Sequence, residues 1–292
     1  MSVSDSHHGT APGEELAAGI DIFGMTHRGK ARSVNEDQFF VATLHKSMRV
    51  CQSSLDDLSM FARLHGSVAY LIVVADGLGG LGGGDLASRT AVETLAAHIG
   101  ETIGCYYNLD VDKEHEFLAQ LQDAVERSHQ QVVERHAPAA GPGPATTLTM
   151  VALIWPRAYV VHVGDSRAYY LRAGRLRQLT RDQTAYEELV DQGIIAEEEG
   201  EGGALKRRFK NVLTSALGAE ITPSTGLIDL QAGDVLLLCT DGLTKHVPDG
   251  DIAGILGEGR SAEQSCRRLV DLTLERGASD NVTVVVGRFA AS

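Results

Sequence analysis

Ala69-Tyr-Leu-Ile-Val-Val-Ala75 is a continuous apolar run that leads directly into Asp76-Gly77. A run of this length without polar alternation is typical of a strand that is buried on both faces. Val235-Leu-Leu-Leu-Cys239 is a second such run, and it leads through Thr240 into Asp241-Gly242. The centre of the protein is therefore predicted to contain buried strands that end at aspartates.

Helical spacing of apolar residues predicts helices over residues 86–99, with Asp85 as the N-cap, and over 117–135, 252–256 and 262–276. Four strand-like runs lie between residues 146 and 179, and only short spacers separate them. Such spacers permit antiparallel hairpins, because a parallel return needs a crossover of a dozen residues or more. The predicted fold class is therefore α+β.

A single domain is predicted for residues 18–292, preceded by a disordered tail over residues 1–17, which are small and polar. Residues 42–68 carry mixed signals and are predicted to be an insertion or a long connection. Residues 181–215 are predicted to form helices and loops.

The formal net charge of -13 argues against a nucleic-acid partner, because binding to a phosphate backbone depends on clustered Lys and Arg. The four cysteines show no C-x-x-C spacing, so neither a disulfide framework nor a zinc site is predicted. No apolar stretch approaches the ~18 residues of a membrane span, and the first residues lack the pattern of a secretion signal. A cytoplasmic protein without a membrane partner is expected.

Four aspartates stand beside predicted strands: Asp76, Asp165 and Asp241 follow theirs, and Asp280 precedes the last one. In an antiparallel sheet the end of one strand lies beside the start of its neighbour, so these carboxylates are expected to share one edge. Converging carboxylates repel by ~1 kcal/mol per pair at 4 Å even in bulk water. A hard cation such as Mg²⁺ or Mn²⁺ offsets that repulsion. Asp-Gly also marks ordinary turns, but the additional acidic pair Glu36-Asp37 favours a metal site.

Two other functions fit parts of the chain. Gly77-Leu-Gly-Gly-Leu-Gly82 matches the G-x-G-x-x-G pattern of dinucleotide-binding enzymes between a strand and a helix. Asp76 would place an anion beside the pyrophosphate, however, and no strand ends in an acid about twenty residues later. Asp110-Val-Asp112 suggests a haloacid-type phosphatase, but this pair lies between helical stretches and not at the end of a strand.

Taken together, six short motifs in one order resemble those of the PPM family, the type 2C protein phosphatases, and the likeness extends over about residues 20–289. A further stretch, Asn211–Gly218, resembles a late segment of the same family. The six motifs are Arg32–Asp37, Val74–Gly80, Ala145–Leu148, Val163–Arg167, Cys239–Leu243 and Ser279–Asn281.

This resemblance implies a centre of two Mg²⁺ or Mn²⁺ ions. Asp76 would bridge both ions, and Asp241 and Asp280 would complete the ligands of one of them. Glu36 and the backbone carbonyl of Gly77 would bind the other. The implied fold is a four-layer α-β-β-α sandwich of two antiparallel sheets flanked by helices.

The resemblance also implies roles for three more side chains. Asp37 would orient metal-bound water, and Asp165 would help to hold a third, weaker ion. Arg32 would clamp the phosphate as a bidentate fork. The implied reaction is hydrolysis of phosphoserine and phosphothreonine in proteins by direct attack of a metal-bound hydroxide. The expected partners are substrates of a serine/threonine kinase, and the protein is expected to be a bacterial-type, monomeric signalling enzyme.

Some positions depart from the family pattern. Leu78 stands where many relatives carry a histidine that is the presumed general acid, so this proton must come from metal-bound water or elsewhere. Gln183 and Gly202–Leu205 replace common residues of the flap over the site. A catalytically silent phosphoprotein-binding module of the same fold is the alternative, but the chain keeps every candidate ligand and Arg32.

Overall fold

The computed structural model describes residues 19–46, 66–79, 83–102, 111–135, 143–195 and 203–290. Within these ranges the chain forms eleven strands and seven helices. The strands are β1 (Ile20–His27), β2 (Asp37–Lys46), β3 (Gly66–Leu78), β4 (Ala145–Thr146), β5 (Leu148–Ile154), β6 (Arg157–Val163), β7 (Arg167–Arg172), β8 (Arg175–Gln178), β9 (Ser224–Asp229), β10 (Val235–Cys239) and β11 (Val282–Phe289). The helices are α1 (Gly83–Thr102), α2 (Val111–Arg135), α3 (Ala185–Asp191), α4 (Ala204–Phe209), α5 (Asp241–Thr244), α6 (Asp249–Gly257) and α7 (Ala262–Glu275).

The strands form two antiparallel sheets. One has five strands in the order β1-β11-β10-β7-β8, and the other has the order β2-β3-β5-β6-β9, with β4 paired to β3. Every pairing of neighbouring strands in both sheets is antiparallel. The predicted antiparallel arrangement is therefore confirmed.

Three apolar layers hold the two sheets and the helices together. Ile72 of β3 and Leu238 of β10 belong to the layer between the two sheets. Val73, the neighbour of Ile72, points the other way and packs with Leu95 of α1 and other residues of α1 and α2. On the far side, β10 packs against α6 and α7 through a third layer. The fold is thus an α-β-β-α sandwich, and the prediction that β3 and β10 are buried on both faces is confirmed.

The hairpin prediction was wrong at one point, between β6 and β7. These strands are consecutive in the chain, yet β6 belongs to one sheet and β7 to the other. The connection runs through Gly164, whose φ of +106° is readily adopted only by glycine. The short connection between β6 and β7 therefore crosses from one sheet to the other instead of returning along the same sheet. Asp165 lies at this crossing.

Several element boundaries also differ from the predictions. Strand β3 continues through Asp76 to Leu78, and α1 begins at Gly83, so Asp85 lies in the first turn and is not the N-cap. Residues 42–46 and 66–68, predicted as part of an insertion, extend β2 and β3. The predicted tail and residues 47–65 lie outside the described residues. Among the helices of the described ranges, none is both long and apolar enough to cross a membrane.

Candidate active site

Both sheets contribute aspartates to one site. Asp37 of β2 and Asp76 of β3 are direct cross-strand partners in one sheet. Asp241 follows β10 and Asp280 precedes β11, and these two strands are neighbours in the other sheet. The prediction that a single sheet edge would carry all the aspartates was therefore wrong, because the carboxylates meet where the edges of two stacked sheets come together.

Asp37 links the two sheets directly. Its side chain is almost fully buried, and Oδ2 accepts hydrogen bonds from the hydroxyls of Thr240, at 2.8 Å, and Thr283, at 2.7 Å. Burial raises the pKa of Asp37 to about 7, although these two hydrogen bonds act in the opposite direction. The carboxylate is therefore held in place by residues of the opposite sheet.

Asp76 lies at the centre of the cluster. Burial raises its pKa well above the usual range, and repulsion from Asp37, Asp241, Asp165 and Asp280 raises it further. These pairwise effects require the other carboxylates to be near Asp76. The structure therefore places Asp37, Asp165, Asp241 and Asp280 around Asp76.

Two basic side chains neutralise part of this charge. The Lys245 ammonium lies 2.5 Å from Asp241 Oδ2 and 2.8 Å from Asp280 Oδ2. The half-exposed Arg32 forms a two-point ion pair with Asp280, with Nε 2.8 Å from Oδ1 and Nη2 3.0 Å from Oδ2. Burial alone would raise the pKa of Asp280, but Lys245 and Arg32 outweigh it and lower that pKa.

Glu36 and Gly77 lie together beside the start of α1. A Cβ atom added to Gly84 would come within 2.9 Å of Glu36 Cδ and 2.7 Å of the Gly77 carbonyl oxygen. The backbone of Glu36 is fixed from both sides, since Asn281 Oδ1 accepts a hydrogen bond from its N–H and Ser88 donates one to its carbonyl. A side-chain carboxylate and a backbone carbonyl are therefore both held against this glycine.

Asp165 occupies the crossing between the sheets. Burial raises its pKa to about 7, repulsion from Asp241 and Asp182 adds to this, and Lys245 acts in the opposite direction. The next residue, Ser166, shares a 2.8 Å hydrogen bond with the Thr147 hydroxyl, which also accepts from the N–H of Asp76. The residue after Asp165 is thus linked to the backbone of Asp76 through two short polar side chains.

The donor set suits a hard divalent cation. Asp37 Oδ1 and Asp241 Oδ1 are buried without a hydrogen-bond partner among the residues that the structure describes. Such orphaned acceptors in a group of mutually repelling carboxylates fit Mg²⁺ or Mn²⁺, which take oxygen ligands. Over the same residues, no three His, Cys, Asp or Glu side chains are already arranged to hold a metal ion. Asp241 and Asp280 are instead engaged in ion pairs with Lys245 and Arg32.

A family model described as Protein phosphatase 2C matches residues 46–281 of the chain. The chain belongs to the protein phosphatase 2C family. It is 38% identical over 222 residues to the serine/threonine protein phosphatase PstP of Mycobacterium tuberculosis, covering 75% of this chain and 40% of PstP. It is 33% identical over 221 residues to the serine/threonine phosphatase stp of Listeria welshimeri, covering 74% of this chain and 83% of that protein.

A solved structure agrees with this assignment. The catalytic domain of PstP in complex with two manganese ions matches with a TM-score of 0.69 and 31% identity, over 94% of this chain and 99% of that one. The chain thus spans less than half the length of the curated PstP protein and nearly all of its catalytic domain. The predicted family and fold are confirmed.

Sequence reasoning assigned no role to three residues that build this phosphatase 2C site, although Asn281 lies within the motif Ser279–Asn281. Asn281 donates hydrogen bonds to the carbonyls of Arg28 and Val34, both at 2.9 Å, and so fixes the loop that carries Arg32. Lys245 stands four residues after Asp241, one turn further along the chain, and that spacing is a signal the sequence did offer. Gly84 was not noticed because it is one glycine in a glycine-rich stretch.

Gln183, which departs from the family pattern, has a clear structural role. Its Oε1 accepts a hydrogen bond from the N–H of Gly164, and its Nε2 donates one to the carbonyl of Thr222, both at 2.8 Å. Its own backbone joins the same turn, because the Gln183 N–H donates to the Gly164 carbonyl at 2.7 Å. Gln183 therefore joins the turn at Gly164, beside Asp165, to the backbone of Thr222.

Proposed function

We propose that the protein is a metal-dependent serine/threonine protein phosphatase. The observation that carries this proposal is the meeting of Asp37, Asp76, Asp241 and Asp280 at the junction of the two sheets, with Arg32 beside them. Membership of a family whose characterised relatives are named serine/threonine phosphatases supports it. The proposed substrates are phosphoserine and phosphothreonine side chains of proteins phosphorylated by a serine/threonine kinase.

We assign the binding of two divalent ions to oxygen donors from both sheets. Asp76 is proposed to bridge them, Asp241 and Asp280 to complete one, and Glu36 with the Gly77 carbonyl to complete the other. Asp165 is the proposed ligand of a third, weaker ion. When bound, Mg²⁺ or Mn²⁺ would lower the pKa of water and neutralise charge on the phosphate. The two manganese ions in the PstP catalytic domain support this assignment.

Two further side chains have roles that follow from their surroundings. Asp37 Oδ2 accepts hydrogen bonds from Thr240 and Thr283. The buried Oδ1 is left to accept a hydrogen bond from a water molecule and to orient that water. Arg32 gives Asp280 the two-point contact that a guanidinium also gives a phosphate, and its side chain is 52% exposed. It is therefore placed to meet a phosphoryl group that arrives from solvent.

The catalytically silent alternative has no observation in its favour, since the candidate ligands and Arg32 are all present at the site. A cytoplasmic, monomeric protein is part of the same proposal. Cys239 and Cys266 are both free and buried, which suits a reducing compartment.

The test is an assay of p-nitrophenyl phosphate and of a phosphothreonine peptide, with Mn²⁺ and with EDTA. Mn²⁺ is expected to stimulate hydrolysis and EDTA to abolish it. Asp241→Asn is expected to lower kcat/KM by at least about a hundredfold, because a ligand is lost from the centre. Asp271→Asn, which changes an exposed carboxylate on α7, is the control and is expected to keep full activity. Activity that survives EDTA or Asp241→Asn would refute the metal mechanism.

A further inference from the structure

Lys245 lies at the end of α5 and touches two proposed ligands of the same ion. Its backbone N–H donates to the backbone carbonyl of Asp241 at 2.9 Å, which closes the single turn of α5. The ammonium lies 2.5 Å from Asp241 Oδ2 and 2.8 Å from Asp280 Oδ2. The Lys245 ammonium thus joins the carboxylate of Asp241, at the start of α5, to that of Asp280, just before β11.

An ordinary surface ion pair does not explain this arrangement. Pairs four residues apart on an exposed helix contribute little, whereas Lys245 lies among Asp241, Asp280 and Asp165. A lysine ammonium is charged at neutral pH. Lys245 therefore acts as a built-in counterion for the cluster.

A divalent ion that binds Asp241 and Asp280 has to compete with this ammonium. The ion needs the same carboxylate oxygens, and its positive charge repels the lysine if the two stay close. From this geometry we infer that Lys245 competes with the metal ion for Asp241 and Asp280 and so sets a weaker metal affinity than the carboxylates alone would give. This inference rests on the proposed function, because it assumes that these aspartates bind metal.

The test measures Mn²⁺ binding directly, from the loss of the electron paramagnetic resonance signal of free Mn²⁺ in titrations of the full chain. Lys245→Met is expected to lower the Kd for Mn²⁺ by at least about tenfold, because a competing and repelling charge is removed. Lys245→Arg, which keeps the charge, is expected to bind much as the wild type does. Lys113→Met removes an exposed charge on α2, away from the site, and is expected to leave the Kd unchanged.

Two additional proteins make the outcome decisive. Asp76→Asn is expected to abolish tight binding, which assigns the signal to this site. Lys245→Gln is measured in parallel, with circular dichroism to confirm folding, and the same tightening is expected. If the wild type binds Mn²⁺ and hydrolyses p-nitrophenyl phosphate while neither Lys245→Met nor Lys245→Gln binds Mn²⁺ more tightly, this inference alone is overturned. If the wild type binds no Mn²⁺, the proposed function fails with it.

Discussion

His162 is a buried titratable residue that lies close to the site without being part of it. It is 1% exposed on β6, where Nε2 donates to the carbonyl of Arg181 at 3.0 Å. The Thr149 hydroxyl lies 2.8 Å from Nδ1 and 3.1 Å from the carbonyl of Ser166, and when the ring is neutral the one hydrogen of this hydroxyl is shared between these two acceptors. Protonation would place a second hydrogen on the ring and a charge in the core, and burial lowers the pKa of His162 to about 4 for this reason.

The lowered pKa gives His162 a predictable effect on stability. Between pH ~4 and ~6.5 the unfolded chain binds this proton and the folded protein does not, so the free energy of unfolding rises with pH across that window. Its contribution is complete above pH ~6.5 and is lost as the pH falls towards 4. His162→Gln removes the titration and keeps a donor and an acceptor.

Urea unfolding of both proteins across this range checks the prediction. The advantage of the wild type over His162→Gln should grow by up to roughly 3 kcal/mol from pH ~4 to ~6.5. The raised pKa values of Asp37 and Asp165 affect both proteins equally and cancel in the difference. If the free energies of unfolding of the two proteins changed with pH in parallel, the pKa of His162 would not be lowered in the folded protein.

At the scale of an element, helix α1 contains two glycines in contrasting surroundings. A Cβ on Gly84 would lie 2.7 Å from the Gly77 carbonyl oxygen and 2.9 Å from Glu36 Cδ, whereas one on Gly100 would meet nothing within 4 Å. Alanine in a helix interior is favoured over glycine by roughly 0.5–1 kcal/mol. Gly100→Ala is therefore expected to stabilise the protein by about that amount.

Gly84→Ala is expected to have the opposite sign. The added methyl group pushes against backbone and against a proposed metal ligand, so a loss of about 1–3 kcal/mol in the free energy of unfolding is expected. Mn²⁺ binding should also weaken in this variant and stay unchanged in Gly100→Ala. Urea unfolding in EDTA and calorimetric titration with Mn²⁺ measure both effects. If Gly84→Ala and Gly100→Ala stabilised the protein equally, residue 84 would have room for a side chain beside Glu36 and Gly77.

The local sequence pattern predicted most elements correctly. It failed where the outcome depends on how distant parts of the chain pack together. The burial of β3 on both faces follows from its apolar run, because both faces of an inner strand need apolar residues. The step from β6 to β7 could not be predicted, since a spacer of that length serves a hairpin and a crossing between sheets equally well. The same holds for the site: the aspartates were identified from their positions beside strands, but their meeting across two sheets depends on that crossing.

At the scale of the whole molecule, the proposed ions join the two halves of the sandwich. Asp76 comes from the six-stranded side and Asp280 from the five-stranded side, and the described strands of the two sheets are otherwise held mainly by the apolar layer around Ile72 and Leu238. An ion that binds only the folded protein stabilises it by about 2.7 kcal/mol at a free concentration of ~100 Kd. In a protein of this size that corresponds to a rise in Tm of about 4–5 °C.

The rise should need ligands from both sheets. Mn²⁺ is expected to raise the Tm of the wild type and of the exposed-site control Asp271→Asn, and EDTA to reverse it. Asp76→Asn and Asp280→Asn should each lose the rise, although each removes a carboxylate from a repelling cluster and need not lower the Tm in EDTA. Differential scanning calorimetry with and without Mn²⁺ measures all four proteins. A full Mn²⁺-induced rise in Asp280→Asn would show that ion binding does not need Asp280, and the proposed link between the two sheets would then not run through this carboxylate.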